Sequence, residues 1–237
     1  MTRRPYSDAE TRVANARRGM ERDDAIRYLA DFDLDPALVG TAISAGRQHT
    51  IFVYDQTRVI KVPNKSLYMT IYGALHCEVV RRDVNLLARY VPQFLVPTQV
   101  LHSRQDAEDY VIMQEYLPTA RFVTGDQFHR VRDQFAQMVE GNRQMMRAHG
   151  LSIDFFGNHS FRQSLVALLT GRKQRALLNN ILLVDDGSAA RLVITDVNLS
   201  ELRLKLDADF SLSRWLIDNG IYWSSRWMIR ALFGLPA

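Results

Sequence analysis

Two pairs of residues in the sequence have types and spacing that suit the chemistry of phosphates. The first pair is Lys61 and Glu78. Lys61 lies within the apolar run at 58–63, where a charged amine needs an anionic partner or must extend its stem to reach water. Glu78 follows in the next predicted helix, and a strand lysine held by a helix glutamate is one arrangement that binds nucleotide phosphates. The alternative is a lysine on an edge strand with a solvated ammonium group.

The second pair is Asn180 and Asp196, which begin and end a predicted β-hairpin. Its turn contains Asp186-Gly187 between two apolar runs, which is a strong local signal for a hairpin. A tight hairpin brings its two ends together, so we expect the amide oxygen of Asn180 and the carboxylate of Asp196 to converge. Such oxygen ligands suit Mg²⁺, which takes its other ligands from water and substrate phosphates. Taken singly, each residue could be an ordinary turn or strand-end residue.

The elements that must position these residues follow from the spacing of apolar residues. In the first half we expect two helices and five short strands, at 7–31 and 71–90 for the helices and at 42–44, 50–54, 58–62, 95–101 and 109–115 for the strands. After Leu117-Pro118 the pattern becomes helical, at 126–149, 161–169 and 212–233, with the hairpin of strands 180–184 and 191–195 inserted. The sequence therefore predicts an α+β protein whose second half is mostly helical.

Length and composition exclude several classes of protein. The chain has 237 residues, of which 47% are hydrophobic and 24% are charged; this is ordinary globular usage and excludes a mainly disordered or collagen-like chain. The single cysteine, Cys77, excludes an internal disulfide framework and fits a reducing compartment. No window reaches the ~18 apolar residues of a membrane span, and the basic start has no apolar stretch behind it. We expect a cytoplasmic protein, although an exported effector would look the same.

The basic charge gives little information about partners. The net charge is +4 and four of the 30 basic residues are lysines, but no nucleic-acid-binding motif accompanies them, so we expect no nucleic-acid partner. The stretch 214–230 holds all three tryptophans and three arginines. These residue types are enriched at protein interfaces and at membrane surfaces, and the alternative is that they form helical core.

The order of these motifs resembles the protein-kinase-like fold, over about residues 39 to 200. The segments that carry the resemblance are a hairpin containing Gly46, the strand Val-Ile-Lys61-Val, the helix with Glu78, Tyr-Val-Ile-Met-Gln-Glu-Tyr-Leu at 110–117, a long helix, Asn-Ile-Leu-Leu-Val-Asp-Asp-Gly at 180–187 and Ile-Thr-Asp-Val-Asn at 194–198. The chain looks most like compact bacterial members, including aminoglycoside phosphotransferase-type kinases and the PhoP-regulatory-network kinase-like proteins.

This resemblance implies a two-lobed architecture. It divides the chain into an N-terminal helical extension at 1–38, a small antiparallel β N-lobe with one helix at 39–117, and a mostly helical C-lobe at 118–237 that contains the metal-binding hairpin. A hinge at 113–117 would join the lobes and receive adenine, with Met113 behind the base and with Glu115 and Leu117 in the hinge itself.

The resemblance also implies ATP and Mg²⁺ as cofactors. Lys61 would contact the α- and β-phosphates and Glu78 would position it, while Asn180 and Asp196 would hold Mg²⁺. Gly46 is the one glycine of the loop at 44–50 that would cover the phosphates, where Arg47 and His49 could add positive charge.

The position of the catalytic carboxylate separates two functions. The family places it five residues before the metal asparagine, where this chain has Arg175; a pseudokinase-like nucleotide-binding regulator would fit this. However, the long helix ends in His149-Gly150, and the following segment, which contains Asp154, takes the place of a catalytic loop. Asp154 would then accept the proton of a hydroxyl on a protein or a small molecule, and the protein would be a phosphotransferase. Otherwise Asp154 is a turn residue at a helix end, and a third possibility is the fold without nucleotide.

Overall fold

The computed structural model describes residues 19–46, 48–64, 76–124, 127–170, 176–185, 189–203 and 212–236. They form two compact units. The N-terminal unit consists of the described residues up to Arg82 together with Val96–Pro118, and the C-terminal unit consists of Asp83–Leu95 together with the described residues from Thr119 onward. None of the helices in these described ranges is long and apolar enough to cross a bilayer.

The N-terminal unit is built on one five-stranded antiparallel sheet with the order β1-β2-β3-β5-β4. Its strands are β1 (Val39–Ala45), β2 (His49–Tyr54), β3 (Arg58–Pro63), β4 (Thr98–His102) and β5 (Tyr110–Glu115). Helix α1 (Arg22–Leu29) precedes the sheet, and helix α2 (Cys77–Tyr90) follows β3 in the chain. The hairpin between β2 and β3 turns at Asp55, whose carboxylate accepts hydrogen bonds from the backbone and hydroxyl of Thr57.

The two faces of this sheet differ in character, because side chains alternate along each strand. One face packs on α1 in an apolar core to which α1 contributes Ala25 and Leu29 and strand β3 contributes Ile60 and Val62. Lys61 lies between those two residues of β3 and therefore belongs to the opposite face. Its partners across the strands are apolar, Ile51 on β2 and Ile112 on β5.

The C-terminal unit combines three helices with two small antiparallel sheets. The helices are α3 (Arg132–His149), α4 (Gly157–Thr170) and α5 (Leu212–Phe233). One sheet has the order β6-β8-β9 and the other pairs β7 with β10, with β6 (Arg121–Thr124), β7 (Leu151–Ile153), β8 (Ala176–Asp185), β9 (Ala190–Ile194) and β10 (Leu199–Glu201). Aromatic contacts among Phe128, Phe135, Phe155 and Phe233 fill part of its core.

The α+β class and the antiparallel sheet are confirmed, and the second half needs a correction. The sequence predicted helices with a single hairpin there, whereas the structure adds β6, β7 and β10. Each of these strands has three or four residues, which is too short to show a period in the sequence. The helix predicted over 7–31 is seen as Arg22–Leu29, and residues 1–18 lie outside the described residues.

Candidate functional site

The β8–β9 hairpin brings Asn180 and Asp196 to neighbouring positions. Ile181 pairs with Ile194, and the next residue along, Thr195, donates its backbone N–H to the carbonyl of Asn180 at 3.5 Å. Asp196 follows directly. The main chains at these two residues thus lie close together, whereas the convergence of their side-chain oxygens and their role as metal ligands stay predictions.

Asp154 belongs to the same cluster although it comes from a different segment. It lies between β7 and α4, and the side-chain amide of Asn180 donates to its main-chain carbonyl at 2.8 Å. The charge of Asp196 is close enough to influence the titration of Asp154. Three residues that the sequence singled out separately, Asp154, Asn180 and Asp196, are therefore brought together.

The carboxylate of Asp154 has a structural task at the start of α4. Its Oδ1 accepts hydrogen bonds from the backbone N–H groups of Phe156 at 3.2 Å and Gly157 at 2.9 Å, which satisfies donors that a helix start leaves without partners. This is the helix-terminus role considered for Asp154 as the alternative. It leaves Oδ2 available for chemistry, because no described residue donates to that oxygen.

The surroundings of Asp154 shift its titration toward neutral pH. Burial raises the pKa of this carboxyl to about 6; the backbone donors lower it, and the nearby negative charges of Asp196 and Asp218 raise it. A carboxyl with such a pKa can both take up and release a proton under physiological conditions, as a general base must.

The donor set beside Asp154 suits Mg²⁺. Because Asn180 uses its amide nitrogen toward Asp154, its oxygen Oδ1 is the atom left for a ligand, and the missing side chain at Gly157 leaves space there, since a Cβ would lie 3.3 Å from Oδ1. Asp196 supplies a carboxylate, and its Oδ1 accepts from the backbone and side chain of Asn198. The described residues contain no cluster of three or more His, Cys, Asp and Glu able to hold a metal, so an ion here would depend on the amide of Asn180 and on oxygens of a substrate.

The hydrogen bonds that hold strand β7 in place were not predicted from the sequence. Asn142 of α3 accepts the backbone N–H of Ile153 at 2.7 Å through Oδ1 and donates from Nδ2 to the Ser152 hydroxyl at 3.1 Å. Both side chains are buried. Asn142 lies in the apolar stripe of the predicted helix at 126–149. A polar residue at such a core position could have indicated these bonds, because a buried amide needs hydrogen-bond partners.

Lys61 is buried within the sheet of the N-terminal unit. It is 7% exposed and β3 is the central strand, so the alternative of a solvated lysine on an edge strand is wrong. Burial lowers the pKa of His49 to about 3, and the positive charge of Lys61 makes a smaller contribution in the same direction. The ring of this neutral histidine is 3.0 Å from the Tyr110 hydroxyl. Lys61, His49 and Tyr110 thus place polar groups on one largely apolar sheet face.

Glu78 does not pair with Lys61 in the structure. It is exposed in the first turn of α2, and no ion pair or hydrogen bond joins it to Lys61 among the described residues. Its proposed task of positioning Lys61 stays a prediction.

The turn that contains Gly46 is held by Asn64, which the sequence reasoning did not single out. The Asn64 amide donates to the Gly46 carbonyl at 2.8 Å, and its oxygen accepts the Thr50 hydroxyl at 2.7 Å. Gly46 in turn donates to the carbonyl of His49 at 2.8 Å. The result is a defined turn between β1 and β2, while Arg47 lies outside the described residues.

The residues predicted to receive adenine lie at the end of β5 and just beyond it. Met113 packs in the core under α1, on the sheet face opposite to Lys61, so the structure does not bring Met113 and Lys61 together. Glu115 is exposed and lies opposite Arg58 of β3 in the strand register, whereas Leu117 is buried. Arg175, at the position where the family has its catalytic aspartate, lies outside the described residues.

Comparison with known proteins gives similarity at the level of solved structures. No family model and no curated sequence matches the chain. Similar structures include the GDP complex of aminoglycoside 2'-phosphotransferase-IIIa (10% identity, TM-score 0.41, 89% of this chain and 92% of that chain) and a choline/ethanolamine kinase family protein from Mesorhizobium loti (15%, 0.38, 92% and 78%). A third is the complex of gentamicin with APH(2")-IIa (14%, 0.39, 89% and 86%). The resemblance stated from the sequence is thus met again among these solved structures.

Proposed function

We propose that the protein is an ATP- and Mg²⁺-dependent phosphotransferase that moves the γ-phosphoryl group to a hydroxyl acceptor. The observation that carries this proposal is the closeness of Asp154, Asn180 and Asp196. Asp154 comes from the segment between β7 and α4, Asn180 from the middle of β8, and Asp196 from just after β9. Phosphoryl transfer needs these groups because it depends on positioning and on electrostatic stabilisation more than on covalent chemistry.

Asp154 is assigned the role of catalytic base. Its Oδ1 is engaged by the start of α4, so Oδ2 would accept the proton of the acceptor hydroxyl and set the direction of its attack. A pKa of about 6 leaves the carboxylate mostly ionised at neutral pH, which is the form a base requires. A positioned base contributes a factor of about 10² to 10⁴ in rate.

Asn180 and Asp196 are assigned to Mg²⁺ and Lys61 to the nucleotide. When bound, the ion would neutralise charge that develops on the transferring phosphates. Lys61 would attract the α- and β-phosphates from its buried place in the sheet, with the turn at Gly46 near the phosphates and with Glu115 and Leu117 near adenine.

A nucleotide-binding regulator without phosphoryl transfer is the second candidate. Two observations favour it: Asp154 already has a complete structural role at the start of α4, and Glu78 is not paired with Lys61. Both candidates require nucleotide binding, and they differ in turnover.

Calorimetric titration with Mg·ATP tests what the two candidates share. We expect the wild type to bind and Asp196→Asn to bind at least about tenfold more weakly, since it removes a charged ligand of the ion. The matched control is Asp133→Asn, an exposed aspartate in the first turn of α3, which should bind like the wild type. Absence of binding by the wild type at millimolar Mg·ATP would contradict both candidates.

Turnover of γ-labelled ATP then separates them. The assay includes water and a panel of hydroxyl acceptors: protein serine and threonine, sugars and aminoglycosides. Label transfer that is lost in Asp154→Asn while Mg·ATP binding is kept would support the phosphotransferase. Binding with no transfer to any acceptor would favour the regulator, and full turnover in Asp154→Asn would remove Asp154 from the role of base.

A further inference from the structure

Helix α5 of the C-terminal unit carries an exposed apolar face. Leu216, Trp223 and Trp227 are 57%, 60% and 51% exposed, and at about 3.6 residues per turn they lie within roughly 40° of one another around the helix. The residues that α5 buries, among them Ser225 and Ile229, lie on the opposite side. We call the three exposed residues the tryptophan face.

The tryptophans of this helix do not share one role. Trp215 is partly buried and donates from its indole N–H to the carbonyl of Leu202 at 3.0 Å, so it belongs to the packing of the unit. Trp223 and Trp227 expose more than half of their surface. An exposed pair of the largest apolar side chains on one helix face indicates an interaction surface, because scattered single exposures are the ordinary case.

The charges on the exposed side of α5 have one sign. Arg226 lies beside the tryptophan face, with its guanidinium 5.2 Å from the ring centre of Trp223 and 5.7 Å from that of Tyr222, and Arg230 is exposed one turn further on. The sole acidic residue of the helix, Asp218, is buried and accepts the backbone N–H of Glu201 at 2.8 Å. The exposed side therefore combines apolar rings with positive charge.

We propose that the tryptophan face, together with Arg226 and Arg230, binds the surface of an anionic phospholipid membrane. Indole rings favour the boundary between headgroups and acyl chains, and arginine binds lipid phosphates. The helix is too polar to span a bilayer, so it would lie in the plane of the surface. Charge complementarity favours this occupant over a second copy of the chain, because two such faces in contact would bring their arginines together.

Vesicle flotation tests this binding independently of nucleotide and turnover. The full chain is mixed with vesicles of phosphatidylcholine alone or with about 30% phosphatidylserine added. We expect flotation with the anionic vesicles, a blue shift of tryptophan emission on binding, and weaker binding as salt is raised.

Two double variants and two controls locate the surface. Trp223→Ala/Trp227→Ala should weaken binding by about tenfold or more per tryptophan, since each substitution removes an apolar side chain that the lipid would bury. Arg226→Gln/Arg230→Gln should weaken it about fivefold per arginine. Leu169→Ala removes an apolar side chain of α4 that is 77% exposed, and Arg147→Gln removes an exposed charge of α3; both should float like the wild type.

Several results would overturn the proposal. These are no flotation with anionic vesicles, equal flotation with phosphatidylcholine alone, or unchanged binding of both double variants when circular dichroism shows them folded. Self-association that sedimentation velocity detects in the wild type and not in Trp223→Ala/Trp227→Ala would assign the face to a second copy of the chain instead.

Discussion

The side chain of Asn180 donates a hydrogen bond to the main-chain carbonyl of Asp154 at 2.8 Å, across 26 residues of sequence. This bond joins the segment between β7 and α4 to the β8–β9 hairpin. It also sets the orientation of the Asn180 amide, because the nitrogen faces Asp154 and the oxygen must face elsewhere. The proposed base and the proposed metal ligand are therefore positioned by each other.

Replacing Asp154 should stabilise the fold most at neutral pH. The pKa of this carboxyl is about 6, above its ordinary value of 3.8, so the native state prefers the protonated form. The folded protein therefore loses stability as pH rises from about 4 to about 6, and the full penalty is present above that range. Asp154→Asn keeps an acceptor for Phe156 and Gly157 and removes the penalty. In metal-free buffer we expect the Tm of the variant minus that of the wild type to increase between pH 4 and pH 7.

The control for this experiment is Asp133→Asn, which removes one negative charge from an exposed position. A Tm difference for Asp154→Asn that stays flat across this pH range would show that the native carboxyl does not titrate near 6, and would weaken its assignment as a base.

Asn142→Ala should destabilise the C-terminal unit and lower turnover. The variant leaves the buried N–H of Ile153 without its acceptor, and a buried donor that loses its partner costs about 1–3 kcal/mol. Strand β7 leads directly into Asp154, so turnover should fall as well. Urea denaturation measures the first effect, and Gln144→Ala, an exposed neighbour on the same helix, should stay within about 0.5 kcal/mol of wild type. Equal stabilities of the two variants would contradict the role of Asn142.

His49 should contribute to the loss of stability in acid. Its pKa falls from 6.5 to about 3 in the folded state, chiefly through burial, so the unfolded chain binds a proton that the native state does not. The stability that this provides is complete above about pH 6.5 and is lost as pH falls toward 3. We expect thermal unfolding of His49→Gln to depend less on pH across this range than that of the wild type. His129→Gln, at an exposed position, is the control and should follow the wild type.

The parts of the fold that could be predicted are those whose signals are local. Strands β2 and β3 are β-branched runs on either side of a polar turn, and both occur where the sequence indicated them. The proximity of Asn180 and Asp196 was also predictable, because the two strands of a hairpin follow each other in the chain and pair side by side. Local pattern is sufficient where the partner strand is the next one along.

The parts that could not be predicted depend on contacts between distant segments. The pairing of β7 with β10 joins two strands of three residues, and neither has a period to recognise. The exposure of Glu78 depends on how α2 is rotated about its own axis. The spacing of apolar residues predicts which side of a helix is buried, but it does not predict which residue each polar side chain contacts. The bond from Asn142 to β7 required both the helix and the strand to be known.

Two glycines in helix interiors should respond to alanine with opposite signs. Alanine favours a helix over glycine by about 1 kcal/mol. At Gly220 of α5 a Cβ would meet nothing within 4 Å, so Gly220→Ala should raise the free energy of unfolding by up to about that amount. At Gly141 of α3 a Cβ would overlap the main-chain oxygen of Tyr90 and lie 2.7 Å from the Cγ1 of Val91. Overpacking costs about 1–3 kcal/mol, and a backbone oxygen gives way less readily than a flexible side chain. Gly141→Ala should therefore be destabilising despite its better helix propensity. Urea denaturation of the two variants decides this, and stabilisation by both would show that α3 does not approach Tyr90 and Val91 closely.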